Sequence, residues 1–153
     1  MGAWNSSTTG LVTLPDGRQV RGRGLAAGPP LDDEPPELGV YLTGAPHREA
    51  WESSWVAWPD FGLPRSTADA VTALHEAFER ASTSRVEIVC DGGTGRTGTS
   101  LALLARLAGV TADEAVDWVR AHYRPGAVET PEQELFVARV DLTRAAPPGG
   151  PTP

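Results

Sequence analysis

Apolar positions along the chain recur with two different periods, and each predicts its own kind of element. Leu11 to Leu14 and Gln19 to Arg21 flank Pro15-Asp16-Gly17-Arg18. An Asp-Gly pair between short apolar runs predicts a β-hairpin. Gly39-Val40-Tyr41-Leu42-Thr43 and Trp55-Val56-Ala57-Trp58 have the β-branched and aromatic content of buried strands, and Pro59 stops the second. Val86-Glu87-Ile88-Val89-Cys90 is a third such strand.

Between them the period lengthens. Ser66 to Ser82 carries Val71, Leu74, Phe78 and Ala81 on one helical face, with Ser66 as its cap and Asp69 in the first turn. Thr97 to Ala108 reads as a helix that stops at Gly109. Thr111-Ala112-Asp113-Glu114 is a capping-box pattern, which predicts a helix from there to about His122, ended by Arg124-Pro125-Gly126. Thr130-Pro131-Glu132-Gln133 repeats that pattern with proline at the first helical position, so a last helix starts near Pro131.

Strands that alternate with helices predict an α/β fold, a central and mostly parallel sheet flanked by helices that cover both faces, with an N-terminal β-hairpin. Ligands in such folds collect at the carboxyl ends of strands, and Cys90 stands at one. Ala26 to Glu37, rich in proline and acidic residues, is expected to be a surface loop. A length of 153 residues suits one domain, expected over 1–144, with the Pro- and Gly-rich residues 145–153 as a flexible tail.

Composition narrows the function classes. The formal net charge is -7, and all 13 basic residues are arginine. Nucleic-acid and membrane-surface binders carry the opposite balance, so neither partner is expected. A single cysteine permits no internal disulfide and fits a reducing, cytoplasmic setting. No signal segment or membrane span is legible, since Arg106 interrupts the longest apolar stretch. The use of arginine alone, with abundant Ala and Gly, has the cast of a GC-rich bacterial genome. His47, His75 and His122 share no metal-ligand spacing, so no metal or cofactor is expected, and a monomer is.

One segment concentrates the chemistry. Cys90-Asp91-Gly92-Gly93-Thr94-Gly95-Arg96-Thr97 sets a thiol and a guanidinium at the two ends of a glycine-rich loop that runs straight into a helix. Glycines let successive amides turn inward, and the helix adds its positive N-terminal end to the same place. A phosphate fits such a cradle, held by the amides of residues 91–95 and by the planar fork of Arg96. The same positive surroundings favour the thiolate, the species that attacks phosphorus. The Thr97 hydroxyl is expected to hydrogen-bond the sulfur and ease its departure.

These residues resemble the protein tyrosine and dual-specificity phosphatase superfamily, whose signature is Cys, five residues, Arg, then Ser or Thr. An Arg six places after a given Cys arises by chance about one time in ten, so the pairing alone carries little. A second match is independent of it: Trp58-Pro59-Asp60-Phe61-Gly62-Leu63-Pro64 looks like the mobile Trp-Pro-Asp loop of tyrosine phosphatases. The resemblance implies that Asp60 protonates the leaving oxygen and then takes a proton from the water that hydrolyses the phosphocysteine. Glu129-Thr130-Pro131-Glu132-Gln133 is similar to the glutamine-bearing segment that positions that water, with Gln133 matching its second glutamine and Glu129 replacing the first. Val89 departs from the family as well, standing where most members have His, and Asp91 adds an acid beside an anion site, its carboxylate expected to point away.

The resemblance implies a phosphatase acting through a phosphocysteine, on phosphotyrosine in proteins and with dual specificity as an extension. Two alternatives stand beside it: a phosphate-binding module with weak turnover, and a phosphatase of a small phosphomonoester such as an inositol phosphate. Each residue also has a plainer reading. A lone Cys after a strand is usually core, Asp60 after proline suits a turn, and Gln133 at the third helical position suits a capping box. Trp4, Trp51 and Trp55 are expected to pack, and Arg18, Arg21 and Arg23 to form a solvated hairpin face.

Overall fold

Five strands form one sheet: β1 (Leu11–Thr13), β2 (Gln19–Gly24), β3 (Leu38–Thr43), β4 (Glu52–Ala57) and β5 (Val86–Cys90). Their order in space is β1-β2-β5-β3-β4, antiparallel only between β1 and β2. The computed structural model describes residues 2–28 and 34–143. The tail proposed for 145–153 and the centre of the Ala26–Glu37 loop lie outside them. At the hairpin, Gly17 takes φ +95 and the Asp16 carboxylate accepts from the Arg18 amide at 3.1 Å, the turn chemistry that the Asp-Gly pair predicts.

The helices are α1 (Thr67–Arg80), α2 (Gly95–Leu107), α3 (Ala115–His122) and α4 (Pro131–Arg139). Ser66 caps α1 by accepting from the Asp69 amide at 3.1 Å, and Thr130 caps α4 by accepting from the Gln133 amide at 3.1 Å. The third helix begins later than Thr111. Here the Glu114 amide donates to the Thr111 carbonyl at 3.1 Å, so residues 112–114 form a turn ahead of the helix, whose start carries no side-chain cap bond.

Alternation along the strands gives the sheet two different faces. Val20, Leu38, Val40, Leu42, Val56, Val86, Ile88 and Cys90 pack into one core with the buried faces of all four helices. The opposite face carries Arg21, Arg23, Tyr41, Glu87 and Val89, in register across β2, β5 and β3. Arg21 and Arg23 are buried, which corrects the solvated face expected of them. Burial is tolerated because the fully enclosed Glu87 carboxylate accepts from Arg21 Nη2 at 2.6 Å, from Arg23 Nε and Nη2 at 3.0 and 2.9 Å, and from the Tyr41 hydroxyl at 2.9 Å.

All four helices lie on the first face, which corrects the expectation that helices cover both; this second face is covered by chain without regular structure. Trp4 lies under the Arg21 guanidinium, 4.4 Å from ring centre to carbon, and the 44–51 connection brings Trp51 Nε1 to the Tyr41 oxygen at 2.6 Å. Trp4 and Trp51 therefore pack as expected, whereas Trp55 remains 40% exposed. Strand β5 sits at the centre of the sheet with β2 and β3 on either side, so its carboxyl end opens between theirs.

Candidate active site

Cys90 ends β5 and is 2% exposed. Helix α2 begins at Gly95, two residues before the predicted Thr97, so Arg96 already lies in its first turn. Between them the loop is pinned from outside. The Asp91 carbonyl accepts from the Ala26 amide at 2.9 Å, the Gly92 carbonyl from Arg124 Nη1 at 3.1 Å, and the Gly93 carbonyl from the Tyr123 hydroxyl at 2.5 Å.

Each peptide is planar, so a carbonyl turned outward turns the next amide inward. The three bonds thus aim the N–H groups of Gly92, Gly93 and Thr94 toward the sulfur side. The Gly93 amide does donate to Cys90 Sγ, at 3.1 Å. Gly93 adopts φ +74, and a Cβ there would stand 2.6 Å from the Gly24 backbone nitrogen, so both conformation and space require glycine. Gly22, one turn of the pleat earlier on β2, leaves room for the Tyr123 ring.

Tyr123 and Arg124 escape sequence reading. The segment Tyr123-Arg124-Pro125-Gly126 reads locally as a helix end, and only its return to the loop after β5 gives it a second role. Burial pushes the Tyr123 phenol up to about 12 against the charge of Arg124, so it stays protonated and donates. Arg124 Nη1 also donates to Thr94 Oγ1 at 3.0 Å.

The Arg96 guanidinium is 2% exposed and gathers three groups. Its Nη1 donates to the Trp58 carbonyl at 2.9 Å, and its Nη2 lies 3.2 Å from Asp60 Oδ1 and 3.3 Å from Asp91 Oδ2. Arg96 and Asp60, 36 positions apart in sequence, therefore meet, beside the residue that follows Cys90. The Asp91 carboxylate turns toward Arg96, not away as expected, because that cation is the nearest charge it can pair with. Thr97 is buried and its hydroxyl has no hydrogen-bond partner, the sulfur taking its bond from Gly93 instead.

Asp60 occupies a turn closed by the Gly62 amide donating to the Pro59 carbonyl at 3.0 Å. Its carboxylate accepts from the Phe61 amide at 3.0 Å, and Phe61 holds φ +59, an uncommon conformation for a bulky residue. Beyond the turn, the Gly62 carbonyl accepts from Trp58 Nε1 at 2.7 Å and from Gln133 Nε2 at 3.1 Å. Gln133 is completely buried, and its Oε1 accepts from the Glu129 amide at 2.9 Å. Its side chain therefore ties the start of α4 to the Asp60 turn, a contact across 71 positions that no local pattern announces.

A family model described as protein-tyrosine phosphatase matches residues 37–143. Two uncharacterized proteins of Methanocaldococcus jannaschii are 37% and 38% identical over 83 and 85 residues, 54% of this chain in each case. The chain spans about half the length of these archaeal relatives, 55% and 51%. Receptor-type tyrosine-protein phosphatase epsilon of Homo sapiens is 31% identical over 91 residues, 54% of this chain and 13% of that protein.

Among solved structures, Tk-PTP in its active form superposes with TM-score 0.61 and 28% identity, over 82% of this chain and 92% of that one. The kinase associated phosphatase carrying serine for its catalytic site cysteine superposes with TM-score 0.54 at 17% identity, over 65% of each chain, a likeness of fold alone. The family match runs from Glu37, just before β3, to Thr143, beyond α4, and so takes in the Asp60 turn, the Cys90 loop and Gln133 together. The chain belongs to the protein-tyrosine phosphatase family.

Proposed function

We propose that this protein is a cysteine-dependent phosphatase that hydrolyses phosphate monoesters, first of all phosphotyrosine in proteins, through a phosphocysteine. The observation that carries the reading is the Gly93 amide donating to Cys90 Sγ at 3.1 Å in a loop that leads into the first turn of α2, where the Arg96 guanidinium lies 3.2 Å from the Asp60 carboxylate.

The thiolate of Cys90 attacks phosphorus while the bond to the ester oxygen breaks. The amides and Arg96 hold the phosphoryl oxygens, whose charge rises in the transition state. A phenol has a pKa of about 10, so its oxygen leaves far more readily once protonated, and Asp60 supplies that proton. Water then attacks the phosphocysteine, the P–S bond breaks, and Cys90 returns as thiolate with release of inorganic phosphate. Gln133 fixes the turn from which Asp60 works.

Thr97 has an unpaired hydroxyl two residues into α2 and is available to the sulfur as it departs. The same reading includes one domain working as a monomer in the cytoplasm. No helix among the described residues is long and apolar enough to cross a membrane.

The test is a metal-free activity panel of phosphotyrosine, phosphoserine and inositol-phosphate substrates, with Cys90→Ser alongside. Turnover of phosphotyrosine that vanishes in Cys90→Ser is expected. Equal turnover by the serine protein would sink the proposal, and preference for the inositol substrate would reassign its target.

A further inference from the structure

Asp91 belongs to the loop after β5 and also lines a cleft of about 200 Å³ beside it. Leu25, just past β2, and Ala45, Pro46 and His47, just past β3, line the same cleft. Both sides are fixed. The Ala26 amide donates to the Asp91 carbonyl at 2.9 Å, which ties the Leu25 side to the loop. The Thr43 hydroxyl donates to the Ala45 carbonyl at 2.6 Å, and the Trp55 indole donates to the Thr43 carbonyl at 3.1 Å. His47 packs its ring against Tyr41, centres 4.8 Å apart, with Nε2 3.0 Å from Glu49 Oε1. Among the described residues of the lining, Asp91 supplies the only carboxylate.

Asp91 Oδ2 and Asp60 Oδ1 lie 3.3 and 3.2 Å from the same nitrogen of Arg96. A phosphate gripped by the planar fork of Arg96 competes for that nitrogen, and its charge repels the Asp91 carboxylate. Asp91 then needs another cation. Its side chain is 62% exposed, so one can reach it from solvent. A long basic side chain suits the cleft, because its methylene stem covers Leu25, Ala45 and Pro46 while its charged end meets the carboxylate. The formal net charge of -7 draws cationic partners in the same direction.

We infer that Asp91 and this cleft form a specificity site, which selects phosphotyrosine peptides carrying an arginine or lysine near the phosphorylated residue. The inference rests on the phosphatase reading above and names the class of peptide on which that site acts. It also gives a carboxylate beside an anion site its use. Phosphate and basic neighbour are bound together, one by Arg96 and the other by Asp91, whereas a phosphotyrosine without that neighbour binds against an uncompensated negative charge.

The test is a set of phosphotyrosine peptides of neutral sequence in which one glutamine is replaced by arginine, moved a position at a time along both flanks. For at least one placement, kcat/KM of the wild-type protein should exceed that of the glutamine parent by about fivefold, the upper range for an ion pair that stays partly exposed. The same ratio should appear in the affinities of Cys90→Ser for the two peptides, and it should shrink with added salt. Asp91→Asn should bring the ratio close to one. So should Ala45→Trp, which fills the cleft and leaves the sequence of the loop after β5 intact, so that a loop disturbed by Asp91→Asn does not decide the outcome. An arginine preference that survives either variant, or none at any placement in the wild type, would overturn the inference while leaving the phosphatase reading intact. Absence of any turnover that depends on Cys90 would overturn that reading, and this inference with it.

Discussion

At the scale of single residues, the site works by opposing charges around Arg96. Its guanidinium draws in Asp60 and Asp91 together, at 3.2 and 3.3 Å, which pulls the acid-bearing turn toward the cradle. Asp60→Asn is expected to lower kcat on phosphotyrosine by about 10²-fold or more, and much less on nitrophenyl phosphate, because general acid catalysis matters in proportion to leaving-group basicity. Equal losses on both esters would remove Asp60 from that role. Gly93→Ala carries two penalties at once, a left-handed φ and a Cβ 2.6 Å from the Gly24 nitrogen. A displacement of about 1 Å in such a loop costs on the order of 10²-fold in rate, so this variant should fold yet lose most activity.

At the scale of elements, the helix starts show what a local pattern settles and where it stops. Ser66 and Thr130 cap α1 and α4 as their sequences predict, each bond joining residues three apart. Ser66→Ala should cost about 1 kcal/mol of stability, read as a lower urea midpoint, with activity retained. Thr111 carries the same motif and caps no helix, since its segment closes a turn before α3. Gln133 reverses the emphasis: its amide obeys the capping pattern, while its buried side chain holds the Gly62 carbonyl 71 positions away. Gln133→Ala should lower kcat about tenfold, the equivalent of one lost hydrogen bond of about 1.4 kcal/mol, through a less ordered Asp60 turn. Restoration of kcat by Gln133→Glu, which keeps an acceptor for the Glu129 amide but no donor for Gly62, would argue against that account.

At the scale of the molecule, the sheet is stabilised by unlike means on its two faces. One is hydrocarbon shared with four helices; the other is an ionic cluster around Glu87. Burial alone would raise the Glu87 carboxyl, but the hydrogen bonds from Arg23 and Arg21 outweigh it and hold the group below the usual carboxylate range. A carboxyl lowered in the folded state contributes stability above its unfolded pKa of about 4.3, and that contribution is lost as pH falls through the lower folded value. Glu87→Gln removes the charge that accepts from Arg21, Arg23 and the Tyr41 hydroxyl inside the fold and is expected to cost about 3–5 kcal/mol at neutral pH. Urea titrations of both proteins from neutral pH into acid should show that difference narrowing below about pH 4.3 as wild-type Glu87 is protonated. A difference independent of pH would mean that packing, not charge, carries the effect.

The sequence by itself determined the existence of the strands but not their ends, since β4 starts at Glu52 and not Trp55, together with the Asp-Gly hairpin, two of the helix caps and the strand-loop-helix unit around Cys90. Each of these depends on interactions within a few residues, where period, turn chemistry and glycine content decide the outcome. The neighbours of β5, the burial of Arg21 and Arg23, the turn of the Asp91 carboxylate toward Arg96, and the grip of Tyr123 and Arg124 on the loop were decided only by the tertiary structure. They join residues 30 or more positions apart, or depend on which charge the fold brings nearest, and a linear pattern holds no record of such distances.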